Sequence, residues 1–409
     1  MKRHWLNRER LALYCAAIVV IYLAIALAIW KQCPDGADSH GNPLTQDFVV
    51  FWGASHLALS GDPAAAYDSE AIAAAQRVAI PAAVNARNSW YYPPTFLLVL
   101  LPLALLPYVL SYLLFMGVTF TGYALVLRRI FLTQGLAVSS LWWPLLGFPA
   151  VFLNLYQGQN GFLTAALAGG ALLLLPTRPL RAGVLIGLLS IKPQLGPLLP
   201  LLLVCGRQWR ALLSASVTVM VFVTAAVMVL GIDTMQAFLA KIPRVGDAIA
   251  GDSLVLVREM PSFYSFGRLL GLPPAAAYTL HGGVALAVAT AVAWICLKCG
   301  DASLRAAAVA AGTLLISPYL FDYDLCWLAL PLAWLAGSAM REGWLRWERE
   351  LLIVVWLLPF LWIPVYHFAG LQIAPLVLLA FFLLILRRAV MGMRGAGIRG
   401  PALAEPVAR

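Results

Sequence analysis

Asp47 opens the run Asp47-Phe48-Val49-Val50-Phe51-Trp52. A carboxylate fixed beside aromatic rings can have its pKa raised toward the working range of a general base. Asp is also a preferred helix N-cap, and position alone favours that reading. Gln157-Gly158-Gln159-Asn160-Gly161 joins two apolar stretches. Its glycines suit a tight turn, while Gln157, Gln159 and Asn160 offer donors and acceptors that match sugar hydroxyls or a phosphate oxygen. Lys192 interrupts the apolar stretch Val184 to Val204. An ionisable group at such a place is costly and is by default a functional hypothesis. Its point charge fits a phosphate; snorkelling to the interface is the equal alternative. The stretch Ser317-Pro318-Tyr319-Leu320-Phe321-Asp322-Tyr323-Asp324 carries two carboxylates at a turn between apolar segments. Such a pair can hold a divalent metal or cap the next helix. With no further acidic residue close in sequence, the metal reading is the weaker one.

Other polar residues carry less. Arg258 and Arg268 flank the apolar segment Met260 to Phe266, which could lie over a cavity. They belong to a nearly charge-balanced loop with Lys241, Arg244, Asp233, Asp247, Asp252 and Glu259, for which a solvated surface is the plainer account. Tyr366 and His367 sit at another boundary of an apolar run. His4, His40, His56 and His281 have no zinc spacing, and no phosphate-binding GxxxxGK[ST] loop is present. Cys296 and Cys299 form a CxxC at the end of an apolar stretch, where a metal or redox role is the less favoured reading. The expectation is no metal and no cofactor.

The elements that must hold these residues are set by composition. The chain has 409 residues, 62% hydrophobic and 11% charged, where a soluble domain carries about 25% charged residues. That apolar excess must face lipid, where every backbone polar group needs an internal partner. Long uncharged runs of about 20 residues select helices over a barrel. The net charge of +10 is spread as short basic clusters between apolar runs, the pattern of membrane topology, and no Lys/Arg stripe with interleaved aromatics suggests a nucleic-acid groove.

Following the charges from an inside N-terminus gives an all-α polytopic membrane protein of about twelve segments. The expected organisation is a first transmembrane helix in residues 1–30 and an outer loop with interfacial helices in 31–107. A membrane body in 108–231, a second outer loop in 232–275, a second body in 276–388 and a cytoplasmic tail in 389–409 follow. Within the first loop, Phe48 to Leu59 and Ser69 to Val84 read as amphipathic helices in the interface, and Thr95 to Pro107 is a short piece broken by Pro102 and Pro107. Ala137 to Leu155 reads as one exiting helix. Ala182 to Ile191 and Pro193 to Val204 are too short to span and form a broken pair with Lys192 at its apex. The arrangement puts basic clusters inside. It puts Asp47, the Gln157 turn, Lys192, the Ser317 to Asp324 turn and His367 on the non-cytoplasmic side.

At these residues the chain resembles glycosyltransferase family 87. The matching pieces are Asp47 to Trp52, Leu59-Ser60-Gly61-Asp62-Pro63, Tyr67-Asp68, Tyr92-Pro93-Pro94, Gln157-Gly158-Gln159-Asn160, Lys192-Pro193 and Ser317-Pro318-Tyr319, in family order. The resemblance implies a GT-C type fold. It also implies a polyprenyl-phosphate sugar donor, of the kind used by the family's mannosyltransferases, and a lipid or glycan acceptor on the non-cytoplasmic face of the cell membrane. It makes Asp47 the general base and turns the balance away from the cap. Lys192, with Arg258 or Arg268 assisting, becomes the candidate for the donor phosphate. Gln157, Gln159, Asn160, Tyr92, Asp322, Asp324 and His367 become candidates for sugar and acceptor. Many members carry His after the Ser-Pro motif, where this chain has Phe321-Asp322-Tyr323-Asp324, so mannose is not assumed. A transporter of lipid-linked sugars shares the broken helices and buried polar groups, but would often show internal repeats, and none is evident. A non-catalytic scaffold would leave Asp47 and Lys192 without a role.

Overall fold

The computed structural model describes residues 5–33, 35–45, 47–86, 88–250 and 255–398. His4, Gln46, Asp252 and the end of the tail lie outside the described residues, as do the side chains of Arg244 and Asp247. Among the described residues the structure is helical, apart from an isolated antiparallel bridge between Ala37 and Pro43.

The chain begins with α1 (Arg8–Gln32), started by the Asn7 side chain, which accepts the Arg10 N–H at 2.8 Å. A hairpin-like loop leads to α2 (Phe48–Leu59) and α3 (Ser69–Ala79), the latter capped by Asp68. α3 ends five residues earlier than expected. α2 is not the amphipathic interfacial helix that its place in the loop suggested: Phe48 to Ser55 are all buried. The reason is the next segment. α4 (Pro94–Leu100) and the 3-10 turn Leu101–Leu105 fold back over α2, and the indole N–H of Trp52 and the hydroxyl of Ser55 donate to the Leu106 and Leu101 carbonyls at 3.0 and 2.9 Å. Phe51 packs against Trp90, Tyr92, Phe96 and Phe115 with ring centroids 5.2–6.1 Å apart. Such aromatic contacts contribute roughly 0.5–1.5 kcal/mol each beyond area burial, so the start of α2 is rigidly seated.

The membrane body follows. α5 (Tyr108–Thr133) starts after Pro107. The stretch expected as one helix is bent by 55° between α6 (Trp142–Leu146, with a short turn before it) and α7 (Pro149–Gln157), because Pro149 can begin a helix but cannot continue one. α8 (Gly161–Leu174) returns. α9 (Pro179–Leu188) and α10 (Leu198–Cys205) are the expected broken pair, unwound around Lys192 and Pro193. α11 (Trp209–Leu230) lies across them. Gly183 and Gly187 let α9 approach α11, since a Cβ at either would stand 2.4–2.5 Å from α11 atoms.

The segment expected as a second outer loop is largely helical, with α12 (Ile232–Ala250), α13 (Val255–Arg258) and α14 (Phe263–Leu269). α15 (Pro274–Lys298) and α16 (Ala302–Ile316) follow. The expected turn at Asp322 and Asp324 is the start of a 3-10 turn, Asp322–Leu328, which leads into α17 (Ala329–Glu342). α18 (Glu348–Ala369) and α19 (Ala374–Ile398) close the body, tied at one end by Arg388 to Glu348 at 2.7 Å and Glu342 at 3.1 Å. Among the described residues six helices are long and apolar enough to cross a membrane, or seven if the bent α6–α7 pair is one span. Five further apolar helices are shorter. The protein is therefore a polytopic, membrane-spanning helical bundle.

Candidate active site

Asp47 sits where two local constraints meet. Its backbone is already helical, with φ −97° and ψ −34°, so its carbonyl accepts the Val50 N–H at 3.1 Å while its own N–H donates to the Gln157 carbonyl at 3.2 Å. Its side chain makes no capping hydrogen bond. The N-cap reading favoured by position is thus set aside, and the carboxylate is free for other work. It interacts instead with the side chain of Gln159 and with the charge of Lys192. Asp47 keeps part of its surface open yet lies deep among protein atoms. Burial pushes its pKa up to about 6, against the lowering effect of Gln159 and Lys192.

The Gln157 turn reaches Asp47 because its two glycines allow contacts that no other residue could make. Gly158 is left-handed at φ +71°, and a Cβ there would lie 2.4 Å from the Cβ of Phe48. Gly161 faces the other way, where a Cβ would lie 2.4 Å from the Tyr323 carbonyl oxygen. The turn is therefore clamped between the start of α2 and the Asp322–Leu328 turn. Asn154, one turn earlier in α7, holds it by accepting the Gly161 N–H at 2.8 Å. Tyr92 donates its phenol proton to Gln159 Oε1 at 2.9 Å.

The two carboxylates of the 3-10 turn part company. Asp324 is fully buried, and its Oδ1 accepts from Lys192 Nζ at 2.6 Å while Oδ2 accepts the Phe321 N–H at 3.2 Å. The Lys192 ammonium also reaches Asn160 Oδ1 at 3.4 Å and lies 4.4 Å from the centre of the Tyr323 ring. Lys192 is 1% exposed, so it is not a snorkelling lysine. Asp322 accepts from Gln157 Nε2 at 2.9 Å and from the Tyr323 N–H at 2.8 Å. Burial pushes its pKa up to about 7, with Glu259 and Asp47 adding to the rise. Both Asp322 oxygens and both Asp324 oxygens are thus engaged by protein donors.

Asp47, Tyr92, Gln157, Gln159, Asn160, Lys192, Asp322 and Asp324 are brought into one cluster from five separate parts of the chain. Several buried polar atoms there have no protein partner: Asn154 Nδ2, Gln157 Oε1, Asn160 Nδ2 and, nearby in sequence, Ser317 Oγ. An unsatisfied buried group costs about 1–3 kcal/mol, and the amide groups among these have the donors and acceptors to meet hydroxyl or phosphate oxygens. The remaining sequence candidates lie elsewhere. Arg258 is exposed at the end of α13. Arg268 is half-buried and donates to the Tyr264 hydroxyl at 3.3 Å. His367 is exposed near the end of α18, its ring against Tyr366.

Three members were not singled out from sequence. Glu259 is exposed just after α13, yet partial desolvation by nearby protein atoms, and then the Asp47 charge, hold its carboxyl above the usual range. In the sequence it was one charge among many in a balanced loop. Tyr323, between the two aspartates, hydrogen-bonds Tyr92 and supports the Lys192 ammonium. Asn154 was legible as an amide in an apolar stretch, a placement that calls for a reason.

No curated protein and no solved structure matches the chain. The profile of glycosyltransferase family 87 matches residues 90–318, more than half of the sequence. The matched stretch runs from Trp90 through Tyr92, the Gln157 turn and Lys192 to Pro318, so it contains the centre of the cluster. Asp47 lies well before the matched stretch, and Asp322 and Asp324 follow its end. With this match over more than half its length, the chain belongs to glycosyltransferase family 87.

Proposed function

We propose that this membrane glycosyltransferase moves a hexose, mannose or a relative, from a polyprenyl monophosphate to a lipid or glycan acceptor. We place the reaction on the non-cytoplasmic side of the cell membrane, on a GT-C type scaffold, with inversion at the anomeric carbon. The observation that carries the reading is the state of Asp47: a carboxylate released from helix capping, raised to a pKa of about 6, and surrounded by buried amides with unspent hydrogen bonds.

The chemistry follows from those groups. Asp47 takes the proton of the acceptor hydroxyl as its oxygen forms a bond to the anomeric carbon. The bond from that carbon to the phosphate oxygen breaks, and the electron pair leaves with the lipid phosphate. That leaving group departs as an anion and needs charge stabilisation rather than a proton. Lys192 supplies it: an ammonium has three donors, of which Asp324 and Asn160 occupy two. Gln157, Gln159, Asn160 and Tyr92 orient sugar and acceptor hydroxyls. A monophosphate met by a lysine does not demand a bound metal. The basic clusters that flank the helices support the sidedness through the positive-inside rule.

Transfer from radiolabelled polyprenyl-phosphate hexoses, measured in membranes for wild type and Asp47→Asn, tests the proposal. The amide keeps the shape but cannot accept the proton, so the rate should fall by about 10²–10⁴-fold with apparent melting temperature retained. Activity of the Asn variant within a few-fold of wild type would remove Asp47 from the mechanism.

A further inference from the structure

Both ends of the Gln159 amide have a defined task. Its Oε1 accepts the backbone N–H of Asn160 at 3.1 Å and the phenol proton of Tyr92 at 2.9 Å. A backbone N–H can only donate, so that end of the amide is the oxygen. The other end, Nε2, carries two protons and suits a carboxylate, and the Gln159 side chain hydrogen-bonds Asp47. Tyr92 is itself fixed. Its ring packs on Phe51, Trp90 and Phe96 with centroids 4.9–5.4 Å apart, and its backbone carbonyl accepts from the Tyr67 hydroxyl at 2.8 Å. Because its own proton goes to Gln159, the bond it shares with Tyr323 runs toward its oxygen, with Tyr323 donating. Tyr323, Tyr92 and Gln159 thus form a chain of donors all pointing one way, and the chain ends on Asp47. Successive bonds of one sense polarise and strengthen one another.

A reversed Gln159 amide would set its oxygen against the carboxylate and leave the Asn160 N–H and the Tyr92 proton without an acceptor. We infer that Tyr92 is a positioning residue for the general base: its phenol, held by Tyr323, keeps the Gln159 amide turned with its N–H groups toward Asp47. The inference rests on the reading of Asp47 as base given above. The chain favours the carboxylate form at a place where burial disfavours it, so the base is ionised near neutral pH. An amide nitrogen has two protons, and the contact with Asp47 leaves one of them for a substrate hydroxyl. Asp47 is also faced by Lys192 from the broken α9–α10 pair, by Glu259 after α13 and by Asp322 and Tyr323 of the 3-10 turn. α5 offers the phenols of Tyr108 and Tyr112, which pack on Phe48. Tyr92→Phe leaves each of these in place, because it removes one oxygen and keeps the packed ring.

The test reads the proton on Asp47 directly. Dicyclohexylcarbodiimide modifies protonated carboxyls in apolar surroundings, and mass spectrometry of the full chain labelled in nanodiscs reads Asp47 apart from Glu259 and Asp322. In wild type, labelling of Asp47 should fall with rising pH through a midpoint near 6. A hydrogen bond to a charged group corresponds to about one to two pH units, so Gln159→Leu should move the midpoint up by about that much. Tyr92→Phe should move it in the same direction, and adding it to Gln159→Leu should move it no further. Tyr323→Phe, which removes the first donor of the chain, should shift it the same way by less, and it serves if Tyr92→Phe folds poorly. kcat/KM for a geranyl-phosphate hexose should follow the same midpoints. An unmoved Asp47 midpoint in Tyr92→Phe would overturn the inference, and slower transfer with that midpoint unmoved would make Tyr92 a substrate contact only. A labelling midpoint that moves while the kcat/KM limb stays would instead overturn Asp47 as the base.

Discussion

The Lys192–Asp324 pair separates two roles that a single substitution confuses. Both side chains are buried, at 1% and 0% exposure, and they meet at 2.6 Å. Lys192→Met alone leaves the Asp324 carboxylate buried without its counter-charge. Breaking a buried pair from one side costs about 3–5 kcal/mol, so this variant should be clearly less stable as well as inactive. Its loss of activity would then say little about phosphate binding. Adding Asp324→Asn removes the second charge. The amide oxygen can still accept the Phe321 N–H that Asp324 Oδ2 accepts at 3.2 Å, and replacing both partners of a buried pair is often neutral. The double variant should therefore regain most of the lost melting temperature. It should not regain transfer, because a charge-assisted contact to the leaving phosphate, worth about 1.5–3 kcal/mol or roughly ten- to a hundredfold in rate, is still missing. The assay pairs intrinsic tryptophan fluorescence on heating with sugar transfer at saturating acceptor. Transfer within a few-fold of wild type in the double variant would show that Lys192 serves only to neutralise Asp324. Wild-type stability in Lys192→Met alone would refute the account of the pair as a buried charge couple.

Two further outcomes follow from the cluster. Asp47 has its folded pKa raised from 3.8 to about 6, so its carboxylate form is scarce at about pH 5, where an ordinary Asp is already ionised. kcat/KM should rise with pH through a midpoint near 6 and level off above it, and that limb should be absent from the residual rate of Asp47→Asn. Gly158→Ala should destabilise the protein by about 1–3 kcal/mol and cut transfer by as much as about 10²-fold, because its Cβ would lie 2.4 Å from that of Phe48 and drive the Gln157 turn away from Asp47. Gly61→Ala is the control: its φ is +95° but nothing lies within 4 Å of the added atom, so the melting temperature should drop modestly with transfer intact.

Much of the architecture was already legible in the sequence, because the constraints concerned are local. A bilayer demands runs of about 20 apolar residues, and these are visible in composition, as is the break that proline and lysine impose between α9 and α10. The motif residues likewise announced themselves as polar groups in apolar surroundings: Asp47, Lys192, and the amides of the Gln157 turn. The sequence could not say what each of them touches. Position made Asp47 a cap, but burial of Phe48 against Tyr108, Tyr112 and Phe115 of α5 and of Phe51 against Phe96 seats the first turn of α2, and the carboxylate interacts with Gln159 instead. Spacing made Asp322 and Asp324 a matched pair. The 3-10 turn that begins at Asp322 sends one to Gln157 and the other to Lys192, 132 residues away in the chain. Glu259 was one of several loop charges until packing of the segment 232–275 brought it within electrostatic reach of Asp47. Pairings between residues this far apart leave no periodic or local trace in sequence; they are decided when the helices pack, because only then does each buried polar group meet the partner that offsets its burial.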